Sequence, residues 1–223
     1  MEKGHSQTSG SEFEAESQDL HLQAKVRSIR TLDNARIGTT ALALLMGITI
    51  LGVSGNTLKV YDDTHVPYDF LLPLWPDEFN IRPTVALVVG SAIVTLSNIA
   101  ALCFSKVQLL RNKTITNTSV MFLAPFVGLA AALIAMIFFY AVNASDTVDT
   151  FLSWTCRWKA VPMGQSPHWD TLCQQSHAGL YLAILLIPVE AVALGLAAYQ
   201  FKQERYTGAY VNARKNVNSP ALS

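Results

Sequence analysis

Four stretches of this chain are each long and apolar enough to cross a lipid bilayer, and they limit the fold more than any other feature. They run from about Ile37 to Ser54, Pro83 to Phe104, Ser119 to Val142 and Ala178 to Phe201. A spanning helix needs about 20 mostly apolar residues. At ~1.5 Å per residue these four reach roughly 27–36 Å, enough for a hydrocarbon core of about 30 Å. Composition agrees: 51% of residues are hydrophobic and 14% charged, where soluble domains carry about 25% charged residues. Four buried helices of that length in one small soluble protein are a poor alternative. The expected fold class is therefore all-α, an integral membrane four-helix bundle.

Basic residues set the expected direction, because cytosolic flanks collect Lys and Arg. Lys25, Arg27, Arg30 and Arg36 precede the first span; Lys106, Arg111 and Lys113 fill the second connection; Lys202, Arg205, Arg214 and Lys215 follow the last span. The first and third connections carry only Lys59, Arg82, Arg157 and Lys159, among Asp62, Asp63, Asp69, Asp77, Glu78, Asp146, Asp149 and Asp170. Both termini are thus expected in the cytosol and the two acid-rich loops outside it. Residues 1–36 read as a cytosolic, largely disordered tail, 37–201 as the four-helix transmembrane domain, and 202–223 as a cytosolic C-terminal tail. The opening MEKGHSQTSGSEFEAESQDL lacks the basic and apolar regions of a secretory signal. The first span is expected to do the targeting, to the plasma membrane or an endomembrane. A formal net charge of +0 gives no footprint for nucleic acid.

Helices in lipid approach closely through small residues. These recur at four-residue spacing as Ala43 and Gly47, Ala86 and Gly90, Ala124, Gly128 and Ala132, and Ala191 and Gly195. Such faces suit the inside of one bundle, or self-association. Glu190 is the acid well inside a span, a position that invites a functional hypothesis. It lies about 18 Å along the fourth span, and Thr95 and Asn98 lie about 18 and 22 Å along the second, which runs the same way. Glu190 is expected to face the bundle and bond to one of them, with the carbonyl freed by Pro188 as a further partner. Three readings stand: a packing hydrogen bond, a proton-coupled or ligand-binding role, and catalysis.

Nothing else in the chain is arranged for chemistry. His5, His21, His65, His168 and His177 are scattered outside the spans. Asp62, Asp63 and His65 read as a solvated acidic loop rather than a hard-metal site, which needs a fuller ligand set. There is no phosphate loop, nucleophile elbow or paired zinc motif. No catalytic residue, metal or cofactor is expected.

The third connection stands apart. WTCRWKAVPMGQSPHWDTLC holds Trp154, Trp158, Trp169, Cys156 and Cys173. Outside the cytosol, Cys156 and Cys173 are expected to pair; closing that loop is worth about 3 kcal/mol in the chain-entropy model. Cys103, near the cytosolic end of span two, cannot reach them and reads as a plain buried cysteine or a palmitoylation site. The three tryptophans fit an interfacial belt, the core of a small loop fold, or a binding patch. Tyr61, Tyr68, Phe70 and Trp75 give the first loop enough apolar surface to pack against the second or lie on the bilayer. Asn143 begins an N-x-S sequon, too close to the third span to be a good glycosylation site.

The stretches WTCRW, TLC and LYLAILLIPVEA resemble uncharacterised four-span (tetraspan) proteins of filamentous fungi, some of them MARVEL-like, over about residues 37–201. The tetraspanin Cys-Cys-Gly and the claudin Gly-Leu-Trp signatures are absent. The resemblance implies a role in membrane organisation or trafficking. The leading expectation is a non-enzymatic tetraspan with the bilayer, other membrane proteins or further copies of itself as partners. The alternatives are an accessory enzyme or carrier for a lipophilic small molecule centred on Glu190, and a channel or transporter subunit.

Overall fold

A computed structural model describes residues 8–65, 74–106, 114–145 and 148–217. Tyr68, Phe70, Arg111, Lys113 and Asp146 lie outside the described residues. The described residues form five helices: α1 (Thr8–Thr64), α2 (Arg82–Lys106), α3 (Thr114–Ser145), the short α4 (Phe151–Arg157) and α5 (Trp169–Val217). The four long ones each contain a stretch able to cross a membrane. Their most apolar windows are only 33–39% buried. Leu45, Leu96, Ile134, Ile137 and Tyr181 are all more than half exposed. A water-facing surface does not carry that much contiguous apolar area; a lipid-facing one does.

The long helices exceed the apolar stretches that nucleate them. α1 starts at Thr8, so the described part of the N-terminal tail, expected to be disordered to about residue 20 and then a basic flank or a short interfacial helix, is helical. The segment EFEAESQDLHLQAKVRS has no Gly or Pro, and adding residues to an existing helix avoids the nucleation cost. α1 also continues past Ser54 to Thr64, and α5 starts nine residues before Ala178 and runs on through the tail to Val217. Pro125 and Pro188 sit inside α3 and α5.

The long helices pack in the cyclic order α1, α2, α3, α5. Their shared core holds Ala43, Ile50, Leu87, Val94, Met136, Phe139 and Leu186. At each of the four interfaces a glycine faces the neighbouring helix. A Cβ on Gly90 would meet Ala135 Cβ at 2.6 Å, and one on Gly128 would meet the Glu190 carboxyl at 2.9 Å. Gly47 lies similarly against Thr95, and Gly179 against Ser54. A Cβ on Gly195 would meet nothing within 4 Å, and Ala191 is exposed. On α5 the expected small-residue face is therefore displaced toward Gly179 and Ala183.

At one end of the bundle the α1–α2 and α3–α5 connections join. Phe79–Asn80 and Asp149–Thr150 pair as a short parallel bridge, a small departure from an all-α chain. Thr150 then caps α4 in a reciprocal box with Ser153, satisfying donors that a helix start leaves open. Cys156 of α4 is joined to Cys173 of α5. With both connections at this end, the start of α1 and the end of α5 lie toward the other.

Candidate functional site

The polar centre of the bundle is Glu190. Its side chain is fully enclosed, and Asn98 on the neighbouring α2 is 2% exposed. Asn98 Nδ2 donates to Glu190 Oε1 at 2.7 Å and also to its own helix at Val94 O, 3.0 Å. From the third side Gly128 of α3 presents bare backbone to the carboxyl. One acid thus contacts α2 and α3 from α5. The missing Gly128 side chain makes the room, since a methyl group there would overlap the carboxyl.

Thr95, the other residue at matching depth, does not join this pair. It turns toward α1, where its Oγ1 packs over Gly47. Among the described residues Thr95 Oγ1 and Glu190 Oε2 have no hydrogen-bond partner, and no bond links Glu190 to the carbonyl released by Pro188. The centre is therefore a single acid held by a single amide. Among the described residues no second acid or base is bonded to it. None of the cavities described is lined by Glu190. Nearby, between Arg36, Pro125 and Ala193, is a space of about 20 Å³, which holds about one water.

The capped end has a core of its own. Trp75, Phe151, Trp169 and Leu172 are buried together, with Tyr61, Phe79 and Trp154 packed against them. Phe151 meets Phe79 edge-on at 4.9 Å and Trp75 meets Trp169 edge-on at 5.1 Å, the geometry that aromatic quadrupoles favour. Trp75 Nε1 donates to Thr64 Oγ1 at 3.0 Å. The three loop tryptophans thus divide. Trp169 is core, Trp154 lines its edge, and Trp158 is 42% exposed with its ring against Trp154. Arg157 is held by Asp149 in a two-pronged ion pair at 3.0 and 3.1 Å.

Other residues singled out in the sequence fall into structural places. Asn143 donates to Phe139 O and accepts from Thr150 Oγ1 at 2.7 Å, so its amide closes the end of α3. Asp62, Asp63 and His65 are exposed, with His65 against Tyr61. Cys103 is unpaired and exposed rather than buried. His177, one turn after Cys173, was not legible as a partner of the loop. Its ring, Cys156 and Cys173 offer ligand atoms within 4.8 Å of one another, but the disulfide occupies both sulfurs. The chain was compared with protein-family models, curated proteins and solved structures, and none of them matches it.

Proposed function

We propose that this protein is a non-enzymatic four-span membrane protein that organises membrane or associates laterally with other proteins. In this reading both termini lie in the cytosol and the aromatic, disulfide-joined cap lies outside. The observation that carries it is the enclosure of Glu190. The acid that would centre an enzyme or carrier is fully buried, bonded to Asn98 and covered by Gly128, and it lines none of the cavities described. A group so placed fixes helix packing. The distribution of Lys and Arg supports the orientation, and the resemblance to four-span proteins of filamentous fungi, some of them MARVEL-like, supports the organising role.

Glu190→Gln tests the role directly. Glutamine keeps an acceptor for Asn98 and removes the titratable group. A deletion strain complemented with this variant is expected to show wild-type abundance and wild-type phenotype. A variant present at full abundance that fails to complement would contradict the reading and favour proton-coupled or catalytic chemistry at Glu190.

A further inference from the structure

The largest opening described lies on the membrane-facing side of the bundle. It is a groove of about 650 Å³ between α2 and α3, within the roughly 300–1,000 Å³ of ligand pockets. Gly90 and Ala135 draw the helices together to form its floor, and Val85, Val89, Ile93 and Phe138 rise as walls. The groove follows α2 from Arg82 to Ile93. Those eleven steps cover about 16 Å, close to half of a hydrocarbon core of about 30 Å. It is thus one leaflet deep, and its outer end is the capped end of the bundle.

Arg82 is the charged residue of that lining. Its backbone N–H is fixed by Asn80 Oδ1 at 3.0 Å, and its side chain is exposed at the first turn of α2. Among the described residues no ion pair includes it, whereas Arg157 of the same end is paired with Asp149. The positive end of the α2 dipole coincides with the guanidinium, so both favour an anion there. A second copy of the chain is a poor occupant. A twofold axis along the membrane normal would bring two Arg82 side chains to the same depth, with no acid in either lining to separate them.

We propose that the α2–α3 groove binds one acyl chain of an anionic phospholipid from the leaflet beside the cap, with Arg82 holding its phosphate. A planar guanidinium suits phosphate oxygens. The apolar walls match a single chain ending at the bilayer midplane. This inference rests on the four membrane-crossing helices and not on the organising role, so either can fail alone.

Native mass spectrometry of the full chain in detergent tests it, with phosphatidylglycerol and phosphatidylcholine of identical chains added in turn. The wild type is expected to retain one phosphatidylglycerol and to prefer it over phosphatidylcholine. Loss of a charge-assisted contact predicts that Arg82→Gln lowers phosphatidylglycerol affinity about tenfold or more and leaves phosphatidylcholine unchanged. Val89→Trp, on an exposed wall position, is expected to displace both lipids while the protein keeps its melting temperature. Equal retention of the two lipids by the wild type, or an unchanged preference in Arg82→Gln, overturns the proposal. So does a wild-type dimer that Val89→Trp dissociates without altering lipid retention.

Discussion

The cap and the membrane bundle are joined by continuous helices yet are held together in opposite ways. The cap has the organisation of a small water-exposed domain. Aromatic rings are inside, a capping box and an ion pair are outside, and a disulfide ties α4 to α5. The bundle reverses this arrangement. Many of its large apolar side chains point outward, while glycines, alanines and the Glu190–Asn98 pair lie between the helices beside Ile50, Met136, Phe139 and Leu186. The solvent explains the contrast. Burying apolar surface stabilises only when the alternative is water; in lipid, close contact and interhelical hydrogen bonds take its place. Small changes in the two regions should therefore act through different forces.

The sharpest break in this comparison is in the cap. Replacing Cys156 and Cys173 together by serine is expected to lower stability by about 3 kcal/mol, read as a lower melting temperature in detergent. Reductant should destabilise the wild type equally and leave the double variant unaffected, with the four spans still inserted. Unchanged melting in both experiments would show that the aromatic core holds the cap without its crosslink.

A smaller effect sharpens the bundle side. Gly128→Ala drives a methyl group into the Glu190 carboxyl, and overpacking of this kind costs about 1–3 kcal/mol. Gly195→Ala meets open space and should be neutral or stabilising by up to ~1 kcal/mol, because alanine is the better helix former. Equal melting temperatures for the two variants would refute the proposed contact between α3 and α5.

The sequence made the spans legible because hydropathy over about 20 residues is a local signal. Depth along a span is also local, and it narrowed the partners of Glu190 to Thr95 and Asn98. The choice between them was not local. It depends on Gly47, which draws Thr95 toward α1 and leaves Asn98 facing α5. Small-residue spacing located the close faces of α1, α2 and α3 but misplaced that of α5, where Ala191 and Gly195 look outward. The cap was legible in part: the Cys156–Cys173 pair and the packing of Tyr61 and Trp75 against the second loop were expected, the places of Phe79 and Phe151 were not. Tyr61, Trp75, Phe79, Phe151 and Trp169 come from four separate segments, and no periodicity within one segment announces a cluster of that kind. The helical extensions were missed for a different reason. The N-terminal tail looks polar enough for disorder and the C-terminal one is short and polar, but each continues a helix that the membrane segment has already nucleated.

A double-mutant cycle across Asn98 and Glu190 tests the central claim most directly, using Asn98→Leu, Glu190→Leu and the pair, with unfolding measured in detergent or bicelles. If the two side chains bond across α2 and α5, the cycle should give a coupling of about 0.6–1.7 kcal/mol, the range of interhelical hydrogen bonds in membranes. Additive effects, with coupling below about 0.3 kcal/mol, would contradict the view that Glu190 serves to lock the bundle.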